Sequence, residues 1–266
     1  RELKKEEVMA CSEYLKEELK KYAPEWLVAV GGVALTALTG KHGILDWAGK
    51  RVGQVKGSKG FALLHPAFVL RSPKMAGTFE AGFKALRSLS NGGETASKPI
   101  KFKLLTPGQA IDILAYPKSR FLTFDFETNG LYKRDGGEIR CVSMCNGEDT
   151  WVVPIQWNEQ FSMMLLEGLT ESGIKLCAHN SIFERRWLID LFGREPLDLS
   201  FDTMLLDYCF EEERMHNLEA VAGYWLEDAP SWKLSGEMKE NGWTWESIPQ
   251  EVLYPYSAMD SFYTHK

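Results

Sequence analysis

The chain has 266 residues, 44% hydrophobic and 26% charged, which suits one large domain or two medium ones and excludes a disordered tail or a collagen-like repeat. No apolar run reaches the ~18 residues of a membrane span; the longest candidate, Trp26 to Leu38, is broken by Gly31 and Gly32, so no membrane contact is expected. The net charge of −6 hides an asymmetry: residues 1–100 carry 16 Lys and Arg against 10 Asp and Glu, and residues 101–266 carry 15 against 27.

The first residues, Arg1-Glu2-Leu3-Lys4-Lys5-Glu6-Glu7, lack the apolar core of an export signal. The chain does not open on Met, and we expect a piece of a longer protein. Glu6–Tyr22 reads as an amphipathic helix, Trp26–Val30 as a buried strand, Gly31-Gly32 as a tight turn and Val33–Leu38 as a helix start. Between residues 41 and 75, Lys41, Lys50, Arg51, Lys56, Lys59, Arg71 and Lys74 face only Asp46. Such a run fits either polyanion binding or a solvated basic face. Gly60–Leu64 is a second apolar strand and Phe79–Leu89 a closing helix. The stretch Ser88 to Pro99 is small, polar and Gly- and Pro-bearing, the composition of a linker. Domains are therefore expected at 1–89 and 101–266, joined by 90–100.

After the linker, strands are predicted at Phe121–Glu127, Ile139–Cys145, Thr150–Pro154 and Ile174–Ala178. Helices are predicted at Ser162–Leu169, Ile182–Leu191, Thr203–Phe210, Leu218–Leu226 and Pro249–Tyr263. This order implies an α/β fold, a mixed sheet covered by helices, preceded by a smaller α/β domain two or three strands deep. Cys11, Cys141, Cys145, Cys177 and Cys209 form no Cys-x-x-Cys and are too scattered for a disulfide framework, which fits the reduced thiols of a cytoplasm.

Chemistry concentrates in carboxylates. On a strand through Phe124-Asp125-Phe126-Glu127-Thr128, Asp125 and Glu127 point to one face while Leu122, Phe124 and Phe126 point to the core. Two adjacent carboxylates repel each other, and a cation between them relieves the repulsion; a solvent-facing edge strand is the plainer reading of Asp-x-Glu alone. Asn180-Ser181-Ile182-Phe183-Glu184 opens a helix and puts Glu184 on its first turn. Tyr256 and Asp260, four apart on the last helix, share one face. His179 reads as a strand-end hydrogen bonder, His216 as closing a helix N-terminus or packing locally, and Cys141 and Cys145 as small core residues.

These three segments, in this order, resemble the three motifs of the DEDDy 3′–5′ exonucleases, and in particular the proofreading domain of family A DNA polymerases. The resemblance covers Arg120 to Lys266 and extends through Phe201-Asp202-Thr203-Met204 and His216-Asn217-Leu218. It departs at Glu184, where the family usually has Asp. It implies an RNase H-like fold and two-metal phosphodiester hydrolysis at single-stranded DNA 3′ ends. Two Mg²⁺ or Mn²⁺ ions would be held by Asp125, Glu127, Glu184 and Asp260. Asp125 would bridge both ions, Tyr256 would orient the attacking water, and Thr128, Leu131 and Asn180 would touch the terminal nucleotide. It further implies a polymerase domain C-terminal to this piece in the parent chain, and a bacterial or phage-infected cell. A stand-alone ribonuclease of the RNase D type and a non-catalytic DNA-binding module are the rival readings.

Residues 6–89 resemble the second half of a uracil-DNA glycosylase-like domain, through Cys11 to Leu19, Trp26 to Ala34 and Leu64-His65-Pro66-Ala67-Phe68-Val69-Leu70-Arg71. The family's water-activating loop is absent and only Cys11 matches its cluster cysteines. This half is expected to hold DNA or to be purely structural, without excising bases.

Overall fold

The computed structural model describes residues 7, 10, 12–91, 100–116, 121–171, 173–194, 199–226, 229 and 232–266. Cys11 and most of the expected linker lie outside them. By internal contacts the chain divides into two compact units. The first comprises residues 1–98, 213–215 and 223–236, and the second comprises 99–212, 216–222 and 237–266.

In the first unit, α1 (Ser12–Tyr22), β1 (Trp26–Val30), α2 (Gly32–Thr39) and the short α3 (Ile44–Trp47) lead into a hairpin of β2 (Arg51–Val55) and β3 (Ser58–Leu63). Then come α4 (Pro66–Arg71) and α5 (Ala76–Ser90). The sheet runs β1-β3-β2, with β1 parallel and β2 antiparallel to β3. The turn from β1 into α2 requires glycine at Gly31: its φ is 90°, and an added Cβ would come within 3.1 Å of the His65 Cβ. His65 is itself occupied, its Nδ1 accepting the Ala67 N–H at 3.1 Å at the start of α4.

Strand β2 was not expected from the sequence. Its apolar side chains, Val52 and Val55, are separated by Gly53 at φ 85° and by Gln54, so no run of alternation is visible. Several cations of the basic stretch lie on aromatic faces: Lys41 over Trp47 at 4.0 Å, and Arg51 and Lys59 over Trp26 at 5.4 and 5.3 Å.

The two late segments supply part of this unit's own core. Met215 packs on Ala48, Leu64 and Met75. Ser235 Oγ donates to Asp46 Oδ1 at 2.8 Å, and Gly236 lies so near the Trp47 indole that a Cβ there would approach it to 3.0 Å.

Farther along the chain come β4 (Lys103–Leu104), α6 (Pro107–Ala115), β5 (Phe121–Thr128), β6 (Ile139–Cys145), β7 (Thr150–Pro154) and α7 (Gln160–Glu171). These are followed by β8 (Lys175–Ala178), α8 (Ile182–Phe192), β9 (Leu199–Asp202) and α9 (Thr203–Phe210). The chain ends with α10 (Leu218–Trp225), α11 (Ser235–Asn241) and α12 (Gln250–His265). The six-stranded sheet of the second unit runs β4-β7-β6-β5-β8-β9. Strands β5, β6 and β7 are antiparallel neighbours, while β8 and β9 continue parallel to β5. It is the mixed sheet flanked by helices that the resemblance implies. Strands β6 and β7 begin and end where the sequence predicts, because each is a short apolar run between turns. The edge strands β4 and β9 and the helices α6 and α11 were not expected. Strand β4 has two residues, both exposed, and α6 is announced only by its cap, Thr106 with Pro107 and Gln109.

The core lies between sheet and helices, with Leu122, Phe124, Phe126, Val142, Met144, Val153, Trp187 and Leu188 all buried. Helix α12 crosses β5, β6 and β7 on a stripe that includes Leu253, Ser257, Ala258, Ser261 and Thr264. The small residues in that stripe let the helix approach closely. Thr123 Oγ1 reaches the Ser261 carbonyl at 2.8 Å, tying α12 to β5 two residues before Asp125.

Candidate active site

Strand β5 pairs with β8 only through Phe121, Leu122 and Thr123. Beyond Thr123, β8 ends and the chain turns into α8, while β5 runs on to Thr128. A crevice opens there, at the carboxyl ends of parallel strands, where such sheets commonly bind ligands. The tie between Thr123 and Ser261 brings the middle of α12 over the same place.

The result is a cleft of about 470 Å³ lined by Asp125, Glu127, Thr128, Leu131, Asn180, Glu184, Tyr256 and Asp260, together with His179 and Trp245. All eight residues singled out in the sequence thus line one cavity. Asp125, Glu127 and Asp260 present carboxylate oxygens that all lie within 4.8 Å of one another. Glu127 and Asp260 are buried and Asp125 is partly so. Burial, then the neighbouring carboxylates Glu127, Asp260 and Glu184, push the Asp125 carboxyl well above its usual range. Burial and the charges of Asp260 and Glu184 do the same to Glu127, against a smaller opposing pull from Arg140. Burial, with the same carboxylates near, also raises the Tyr256 phenol well above its ordinary value, so it keeps its proton.

Glu184 stands outside the set of three. It is 2% exposed, and burial raises its carboxyl to about 8, against the N–H groups of Glu184 itself and Phe126 that the carboxylate accepts. The extra methylene lets the side chain fold back on its own helix turn, where first-turn N–H groups lack helical partners. Its Oε2 has no hydrogen-bond partner.

Two features that sequence reasoning missed shape the site. Asp202, at the end of β9, accepts four N–H groups: Asn180 (3.1 Å) and Ser181 (2.7 Å) in the turn before α8, and Met204 (2.9 Å) and Leu205 (3.2 Å) at the start of α9. Asn180 has φ of 63°, a conformation that costs a non-glycine residue free energy and needs such support. An Asp before a helix is a readable cap signal, but its second pair of donors is not. Arg140 spans the Trp245 and Ile248 carbonyls, at 2.7 and 3.0 Å. Of the other residues, Cys141 and Cys145 are buried core and His179 Nδ1 pairs with Thr203 Oγ1 at 2.9 Å; His216 packs locally, its Nδ1 pairing with Asp207 at 2.8 Å and its Nε2 with the Glu212 carbonyl at 3.3 Å, while Asn217 Oδ1 accepts the Ala220 N–H at the start of α10.

A model of a 3′–5′ exonuclease family matches residues 110–266, more than half of the chain and all of the cleft. The chain belongs to this family of 3′–5′ exonucleases. A model of the uracil DNA glycosylase superfamily matches residues 1–87. A DNA polymerase of Escherichia phage T5 is 25% identical over 264 residues, covering 89% of this chain and 30% of that protein. This chain therefore spans less than a third of the relative's length. Among solved structures, Brucella melitensis NrnC bound to pGG is 21% identical, with a TM-score of 0.47, covering 64% of this chain and 78% of that one. Escherichia coli RNase D is 14% identical, with a TM-score of 0.43, covering 62% and 42%. Among the described residues no helix is long and apolar enough to cross a membrane.

The exonuclease cleft carries a stability signature. Its carboxyls bind protons more tightly folded than unfolded, so their contribution is full below the ordinary carboxylate range. It fades as pH rises, through about 8 for Glu184. Without divalent cations the melting temperature is expected to fall by roughly 5–10 °C between pH 5 and pH 8.5, at about 2–4 °C per kcal/mol. Mg²⁺ or Mn²⁺ should restore most of it at pH 8.5 and little at pH 5. Melting curves in chelator that stay level across this range would contradict the electrostatic account.

Proposed function

We propose that the chain is the proofreading exonuclease portion of a family A DNA polymerase, removing nucleotides from single-stranded DNA 3′ ends in the cytoplasm of a bacterial or phage-infected cell. In the parent chain a polymerase domain follows it. The observation that carries this reading is the convergence of Asp125, Glu127 and Asp260 in one cleft with Tyr256.

The residues fit a pair of divalent cations. Three carboxylates within 4.8 Å of one another repel strongly unless a cation lies among them, and Glu184 Oε2 is buried without a partner. Hard cations such as Mg²⁺ and Mn²⁺ prefer carboxylate oxygens. Asp125, Glu127 and Asp260 would hold them, with Glu184 contributing from the α8 turn. When bound, the cations supply a hydroxide nucleophile and charge stabilisation at the leaving 3′ oxygen. The protein's own groups do the positioning. Tyr256, protonated at neutral pH, donates its phenol hydrogen and orients the attacking water. Thr128, whose hydroxyl donates to Gly130 O at 2.7 Å, and Asn180 contact the terminal nucleotide, and Leu131, 70% exposed, packs on its base. A digestion time course on 3′- and 5′-labelled single-stranded DNA, with and without Mn²⁺, tests the reading: cation-dependent loss of the 3′ label first is expected. Loss from the 5′ end, or no loss, contradicts it.

Glu184 gives a graded test. Its backbone-bonded, folded-back carboxylate suits a site adapted to the longer side chain. Glu184→Asp is expected to slow digestion by roughly tenfold, and Glu184→Gln, which removes the charge, by roughly a hundredfold or more, since each tenfold corresponds to about 1.4 kcal/mol. An undiminished Glu184→Gln variant excludes this residue as a ligand.

A further inference from the structure

Trp245 lines the acidic cleft and belongs to none of the three motifs. The residue is 40% exposed, so part of its surface is open to the cavity. Its ring centroid lies 6.0 Å from that of Tyr256, with the planes tilted by 51°. The side chain is free to meet a ligand, but its backbone is not free to move. Arg140 Nη1 donates to the Trp245 carbonyl at 2.7 Å, and Nη2 donates to the Ile248 carbonyl at 3.0 Å. On the other side, Thr244 N–H donates to Ser247 Oγ at 2.9 Å, and Ile248 N–H closes the turn on the Thr244 carbonyl at 2.9 Å. A strained or floppy loop would present an aromatic face at a cost in ordering entropy on binding; this one has been fixed beforehand.

We propose that Trp245 is a substrate-contacting residue, whose indole packs on the face of the 3′-terminal base and so selects an end that carries a base without reading which base it is. This rests on the exonuclease reading above. Every nucleobase has a π-face, so an aromatic platform binds all four alike. Leu131, the other exposed apolar residue of the cleft, adds contact area but no π surface.

The test uses the full 266-residue chain and two 5′-labelled single-stranded DNAs identical except at the 3′ end, one ending in a normal nucleotide and one in an abasic tetrahydrofuran residue. Initial rates of first-nucleotide removal give KM and kcat. For the normal end, Trp245→Ala is expected to raise KM roughly tenfold, within the range for losing one base–aromatic stack, with kcat within about twofold. For the abasic end, parent and Trp245→Ala should have the same KM. Trp245→Phe should stay within about threefold of the parent, and Trp245→Leu, which keeps apolar bulk without a π-face, should behave like Trp245→Ala and serves in its place if the alanine variant does not fold. An unchanged KM in both variants overturns the proposal, as does an equal loss on both ends, which would mark a packing role. If the parent itself removes no nucleotide from either DNA, the exonuclease reading fails and this one with it. A parent that digests while Trp245→Leu and Trp245→Ala match it removes only the role of Trp245.

Discussion

Asp125→Ala is expected to stop digestion of single-stranded DNA, by roughly 10⁴-fold or more, the scale of removing one member of a group that acts as a unit. The same change should make the cation-free protein more stable. Asp125 lies with Glu127 and Asp260 in a set whose carboxylate oxygens are all within 4.8 Å of one another, and burial together with those neighbours raises its carboxyl well above the usual range. Deleting one of three crowded negative groups relieves both its own desolvation and the repulsion it imposes on the other two. A gain of roughly 3–6 °C in melting temperature at pH 8 in chelator corresponds to about 1–2 kcal/mol in a domain of this size, and the rise on adding Mn²⁺ should shrink. Loss of activity with gain of stability is the mark of a site that trades stability for function, and no misfolded variant shows it. An Asp125→Ala protein that digests DNA like the parent removes the catalytic assignment altogether.

Asp202→Ala should damage the protein in the opposite sense, lowering stability and activity together. Its carboxylate accepts four main-chain N–H groups, two at the Asn180–Ser181 turn and two at the start of α9. Losing a helix cap alone costs about 1 kcal/mol, and leaving further buried donors unmet adds about 1–3 kcal/mol each, so a fall of at least roughly 5 °C is expected in thermal melts. The Asn180 backbone, held at φ 63°, would then relax, moving Asn180 and the first turn of α8 that bears Glu184. A drop in digestion rate of roughly a hundredfold is expected even far below the melting temperature, since small misplacements are costly in a positioned site. Asp202→Asn is the informative companion. Its amide oxygen can serve the three N–H groups that share Oδ1, but its NH₂ group then faces the Ser181 N–H, which donates to Oδ2 at 2.7 Å. It should fall between parent and alanine. If Asp202→Ala digests at the parent rate at low temperature, the turn does not depend on this carboxylate.

The cleft carboxylates and Tyr256 were legible in the sequence because they sit on periodic elements. The alternation around Asp125 and Glu127 and the four-residue spacing of Tyr256 and Asp260 each fix a face without knowledge of the rest of the fold. Asp202, Arg140 and Trp245 were not legible, for a common reason. Each acts through main chain that is distant in sequence or through an irregular loop, and neither leaves a periodic trace. The same holds for the missed elements. Strand β9 is four residues long and runs directly into α9, so its Asp202 reads only as a helix cap. Strand β2 is broken by Gly53 at φ 85°. The basic stretch that suggested a polyanion surface is partly accounted for by the tryptophan faces beneath Lys41, Arg51 and Lys59, a pairing that charge counts cannot register.

Met215, Ser235 and Gly236 close around Ala48, Asp46 and Trp47, though nearly two hundred residues of chain lie between some of these partners. The first unit therefore is not a bead that can be snipped off at the Gly- and Ser-rich seam near residue 90. A piece ending there would lack the packing that Met215, Ser235 and Gly236 give it. Residues 1–87, which match the uracil DNA glycosylase superfamily model, thus complete their packing with residues that follow the six-stranded sheet of the second unit in sequence.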